Sequence, residues 1–170
     1  MNKILLTIIG LAAGLTALAQ GTVNINNNFT PAGGSAKAFI LGVDNAPLAK
    51  ALGSVEILDS TGAVIKSGSL ATAGIFAFGV TEIPNAPIGG AGSITIRAWD
   101  NSTGASYDLA TTRASTIVTL TGLGGGATPP PSLGSAGNFT GLTLSVVPEP
   151  STVALAALGL AGLFFVARSK

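Results

Sequence analysis

Ser54-Val55-Glu56-Ile57-Leu58, Asp59-Ser60-Thr61-Gly62, Ala63-Val64-Ile65-Lys66 is the plainest hairpin in the chain. Two β-prone runs flank four turn-forming residues. An Asp side chain bonds backbone groups ahead of it, and Gly supplies the positive φ that closes such a loop. Short β-prone runs separated by turn residues recur on both sides of it.

Towards the C-terminus, Gly74-Ile75-Phe76-Ala77-Phe78-Gly79-Val80 predicts a strand with Phe76, Phe78 and Val80 on one core face. Ser93 to Trp99 and Ala105 to Leu109 form a second predicted hairpin through Asp100-Asn101-Ser102-Thr103-Gly104. In it Ile94, Ile96 and Ala98 point one way, and Thr95, Arg97 and Trp99 the other. Ala114 to Thr121 is a further strand with Val118 and Leu120 inward. Residues 122–138, with Pro129-Pro130-Pro131, read as a long loop, and Leu142, Leu144 and Val146 as a closing strand. Towards the N-terminus, Val23-Asn24-Ile25-Asn26 is a first strand, though Asn26-Asn27-Asn28 also suits a loose start. Ala38 to Val43 is nearly apolar and reads as a central strand, ended by the turn residues Asp44-Asn45-Ala46-Pro47. About seven to nine strands over residues 20–146 predict an all-β fold. The expected form is a single β-sandwich, immunoglobulin-like or jelly-roll-like, with a helix at each end of the chain.

Composition narrows the chemistry. The chain has no Cys and no His. Cysteine nucleophiles, Ser-His-Asp triads and His-ligated zinc are excluded. Between the termini, five basic residues face six acidic ones, a net charge of −1. No basic patch is available for nucleic acid. No enzyme and no cofactor are expected.

The two ends of the chain are different in kind. Lys3 precedes an apolar run from Ile4, and Ala17-Leu18-Ala19 fits the small-x-small rule for signal peptidase. Residues 1–19 therefore read as a signal peptide, with the mature chain starting at Gln20. The other end runs Pro148-Glu149-Pro150-Ser151, an uncharged apolar stretch over about 152–167, then Arg168-Ser169-Lys170. Such a stretch approaches the ~20 residues that span a bilayer. Arg168 and Lys170 are a membrane stop that holds the tail in the cytoplasm. Residues 20–146 are then the ectodomain and 147–170 a separate address segment.

This segment resembles the PEP-CTERM sorting signal in its Pro148-Glu149-Pro150 triplet, adjoining apolar run and basic end. The resemblance implies an exported protein of a Gram-negative bacterium that makes extracellular polysaccharide. It further implies recognition by an exosortase, a membrane-embedded transpeptidase or protease, at Pro148, Glu149 and Pro150. The body would be an inner-membrane-anchored precursor, then be released or attached at the cell surface or in the extracellular matrix. Its partners would be signal peptidase, the exosortase and the membrane.

Within the body the candidate ligand contacts are few. Trp99 is the only Trp, with Arg97 and Tyr107 near it in sequence. They would make a stacking platform for extracellular polysaccharide in an adhesin-like module, against the more ordinary expectation that Trp99 is core. Asp59 and Asp100 sit among hydroxyl and amide side chains, but calcium takes six to eight oxygens and neither loop supplies them. No metal site is expected. A glycosidase needs two carboxylates across a cleft, and no such pair is legible in the sequence.

Overall fold

The structure, a computed structural model, describes residues 19–147. The signal run, the Pro148-Glu149-Pro150 motif, the apolar stretch and the basic tail lie outside those residues. The described part is all-β apart from one helical turn, and none of its helices is long and apolar enough to cross a membrane.

The hairpin of residues 54–66 forms as β3 (Gly53–Leu58) and β4 (Val64–Ser69). Its turn is held by one carboxylate oxygen. Asp59 Oδ1 accepts from Thr61 N–H at 2.8 Å, Thr61 Oγ1 at 2.6 Å and Ala63 N–H at 3.0 Å. Gly62 takes φ of 88° to close it. β3 then pairs on its other side with β6 (Gly92–Asp100), and β6 with β7 (Thr112–Leu120). The short β9 (Ser145–Val146) adds to β7, completing a five-stranded antiparallel sheet in the order β4-β3-β6-β7-β9.

A second layer covers the inner face of that sheet. It contains β1 (Gln20–Asn26) paired antiparallel with β5 (Ala77–Pro87), and β2 (Ile40–Leu41) paired parallel with β8 (Leu142–Thr143). The other edge of β1 is bonded to the Gly/Pro-rich segment, through Thr22 N–H to Gly124 O and Asn24 N–H to Pro131 O. The core lies between the layers. Val55, Ile57, Ile94, Ile96, Ala98, Val118 and Leu120 come from the five-stranded sheet, and Val23, Ile25, Ile40, Ile83 and Leu144 from the cover. Burial of this many branched side chains is the main stabilising term.

Several sequence expectations change. Ala105 to Leu109 is not a strand: β6 pairs with β7, and residues 101–111 fold back over the outer face. The loop is closed by Thr103, whose N–H bonds Asp100 O and whose hydroxyl accepts from Thr112 N–H at 3.1 Å. The apolar run 38–43 contributes only two residues to a ladder, because Ala38 N–H and Ile40 N–H bond Phe29 O and Gly74 O instead. Phe76 is fully buried, but Val80 is 57% exposed. Gly79, with φ of 73°, breaks the alternation between them and turns Val80 outward. The long loop contains α1 (Leu133–Ala136), capped by Ser132 and buried through Leu133 and Ala136. The predicted closing strand is split: Leu144 is buried, and β8 and β9 on either side of it belong to different layers.

The Asn triplet is also not loose. Asn27 is fully buried. Its Nδ2 donates to Ala38 O at 2.8 Å and Gly74 O at 2.9 Å, and its Oδ1 accepts from Phe76 N–H at 2.7 Å. One amide thus ties the end of β1 to two other segments of the second layer.

Candidate functional site

Two regions bear on function: the edge where the chain leaves the body, and the outer face around Trp99. At the first, Leu144 is 1% exposed and anchors the last segment, with its N–H bonded to Leu41 O at 2.8 Å. Ser145 and Val146 then pair with Arg113 and Thr112. Val147 N–H donates to Thr111 O at 2.7 Å. The next residue is Pro148. The Pro-Glu-Pro triplet therefore begins one peptide bond after the last ladder contact, with no linker. At the other terminus Ala19 and Gln20 are exposed, and Gln20 is already the first residue of β1, paired with Pro87. Ala17, Pro148, Glu149, Pro150, Arg168 and Lys170 lie outside the described residues.

On the outer face the structure brings together Trp99, Arg97 and Tyr107, and adds Arg113. The Trp99 and Tyr107 rings meet edge-on, centroids 6.4 Å apart at 83°. The guanidinium carbons of Arg97 and Arg113 lie 4.8 and 5.1 Å from the Tyr107 centroid. Such cation–π contacts hold a ring in place. Arg113 also donates to Tyr107 O at 2.6 Å and lies 4.0 Å from the Asp108 carboxylate. Trp99 itself is 6% exposed, and its Nε1 has no hydrogen-bond partner. The indole is thus covered, and the accessible aromatic surface here belongs to Tyr107. Arg113 stands opposite Trp99 across β6 and β7. That neighbour follows from the strand register, which the misassigned second hairpin concealed.

Asp44 and Asp100 both line a pocket of about 350 Å³ at one end of the body. Each, however, closes its own turn. Asp44 Oδ1 accepts from Ala46 N–H at 3.1 Å, and Asp100 Oδ1 from Ser102 N–H at 2.8 Å and Ser102 Oγ at 2.6 Å. Hydrogen bonds to the ionised form hold the Asp59 carboxyl below its ordinary value, the Thr61 hydroxyl being the largest cause. No cluster of three or more acidic side chains able to hold a metal occurs among the described residues. A groove of about 830 Å³ runs beside residues 31–37, Phe39 and Leu142. Lys37, the charged residue on its wall, is tied to Asn28 Oδ1.

The arrangement is that of a closed β body carrying an address at its C-terminal edge. Residues 146–170 match the family model of the PEP-CTERM protein-sorting motif. The motif marks an exported bacterial protein with a membrane-anchored sorting signal, targeted to an exosortase. No curated protein and no solved structure matches the chain at a significant level.

Proposed function

We propose that this chain is a non-catalytic protein of the cell surface or extracellular matrix of a Gram-negative bacterium. Its ectodomain is a β-sandwich, exported by the signal peptide 1–19 and processed by an exosortase at Pro148-Glu149-Pro150. The observation that carries the reading is the sorting motif at residues 146–170 joined directly to a folded β body. Intact mass spectrometry of protein from outer-membrane, matrix and medium fractions tests it, beside a Glu149→Ala form. A wild-type mass ending near Pro148-Glu149-Pro150, lost in the variant, is the expected result. A mass running through Lys170 in both would make the tail a plain anchor and end the sorting reading.

A second reading, an adhesin-like module for extracellular polysaccharide, is favoured by one observation. Tyr107 is partly exposed with two guanidinium groups against it. Arg97 and Tyr107 would hold the sugar, while the buried Trp99 supports Tyr107 from beneath. Glycan arrays with wild type and Tyr107→Ala decide it: equal binding, or none by either, removes the module.

A further inference from the structure

We infer that the end of the body from which the sorting segment departs docks on the lipid bilayer through its own apolar side chains. The inference rests on the sorting-signal reading, in that the apolar run of residues 152–167 enters the membrane.

The register fixes which residues share this end. Gly53 pairs with Asp100, Asn101 N–H bonds Leu52 O at 2.7 Å, and Thr112 pairs with Val146. Val43 and Leu52 line one pocket with Asp100, Thr112 and Leu144. Leu109 lies two residues before Thr111, which accepts the Val147 N–H. Of the eight exposed large apolar side chains among the described residues, Val43 (57% exposed), Leu52 (38%) and Val146 (65%) lie where the chain exits and Leu109 (71%) lies in the loop that returns to this end, while Val64, Val80, Ile88 and Ile117 are spread singly over the rest of the body. Exposed single apolar residues are ordinary, whereas a group at one pole calls for a partner.

The tether says what that partner is. Four residues, 148–151, separate Val147 from the start of the apolar run. A fully extended chain advances about 3.3–3.6 Å per residue, so the tether spans less than about 20 Å. The headgroup layer takes up about 5–8 Å of that on each side of the hydrocarbon core. The tether thus keeps this pole within about 15 Å of the headgroup surface. The far pole, with the Asp59 turn and the start of β6, stands away by the length of β6. That strand has 9 residues, or about 30 Å at ~3.3 Å each. Gln20 emerges at the far pole, since Gly21 packs on Leu123 and the neighbouring Gly92 pairs with Leu120.

Charge gives the docking its character. Asp44 and Asp100 line the pocket at the docking pole and Asp108 lies 4.0 Å from Arg113, so this pole carries no excess of positive charge to recruit anionic lipid. Contact rests on apolar burial, is tightest on zwitterionic vesicles and varies little with salt.

The absence of Cys makes the test direct. The chain from Gln20 to Lys170, without the signal run, is reconstituted in phosphatidylcholine vesicles with a single Cys carrying an environment-sensitive fluorophore. Leu52→Cys and Leu109→Cys report the docking pole; Ser60→Cys and Ala127→Cys report the far pole. Labels at Leu52 and Leu109 are expected to blue-shift, brighten and be quenched by spin-labelled lipid, while those at Ser60 and Ala127 stay as in water. All four sites are exposed, and Trp99 emission confirms that each variant is folded. Equally aqueous labels at both poles in a chain that floats with the vesicles would overturn the docking and leave the sorting reading standing. A chain that is extracted from the vesicles by alkali would overturn both.

Discussion

Asn27→Ala removes the buried amide that joins three segments of the second layer. The damage follows from what is left behind. Gly74 O keeps a partner, because Ile40 N–H bonds it at 2.8 Å. Phe76 N–H and Ala38 O lose theirs in a fully buried setting. Each stranded polar group costs about 1–3 kcal/mol, so the pair costs about 2–6 kcal/mol. A central figure of about 4 kcal/mol is a large part of the roughly 5–15 kcal/mol that keeps such a domain folded. At about 4 °C per kcal/mol for a body of this size, the midpoint falls by about 16 °C. Trp99 is the lone Trp and is buried, so its emission reports unfolding of the body even in the full chain. Asn28→Ala is the matched control: Asn28 is exposed and accepts only from Lys37, so its loss costs about 0.5 kcal/mol or less. If urea titration places Asn27→Ala within about 1 kcal/mol of wild type, the stranded-group argument fails at this site.

The remaining outcomes concern a turn, a strand and a junction. Because the Asp59 carboxyl is lowered in the fold, its contribution to stability is complete above the ordinary carboxylate range and is lost as pH falls through the lowered value. Acid titration of Asp59→Asn should show a shallower loss than wild type in that window; identical curves refute the assignment. At Gly53 a Cβ would sit 2.7 Å from Leu70 Cγ and 3.0 Å from Leu48 Cδ2. Gly53→Ala should cost about 1–3 kcal/mol by overpacking, read as a lower urea midpoint. A four-residue Gly-Ser insertion between Val147 and Pro148 should speed processing at the motif, since β9 no longer has to open, and a rate unchanged in pulse-chase would show that the junction imposes no restraint.

What was legible in the sequence was what local chemistry decides. The Asp59 turn works because Asp59, Thr61, Gly62 and Ala63 are neighbours, and the hairpin around it forms as read. Asp100 makes the same kind of local turn with Ser102, which suggested a second hairpin. There the outcome is set elsewhere: Tyr107 has Trp99, Arg97 and Arg113 to pack on, and this holds residues 101–111 over the sheet. The second layer was the least legible part. Asn27 acts on residues 11, 47 and 49 positions away, and nothing in an Asn triplet reveals that. The long β5 contains Pro84 and the positive-φ residues Gly79 and Asn85. These features ordinarily argue against a strand, and they are tolerated here because β5 pairs on only one side. The sorting motif was legible because its pattern needs no tertiary partner, and the family model matches it at residues 146–170.

The junction between address and body follows from the same geometry. The sorting match begins at Val146, inside β9, so one residue belongs both to the ladder and to the signal. A protease that draws an extended segment into its active site competes with the ladder for residues 145–147. The competition is weak on the body's side. Ser145 and Val146 are exposed and bury almost nothing, while the buried Leu144 just before them is anchored to Leu41. Opening therefore stops at Leu144 and releases three residues, about 10 Å of chain, without disturbing the core. The body can be fully folded when its tail is processed, and the boundary between what the sorting machinery handles and what the fold keeps falls at a single buried leucine.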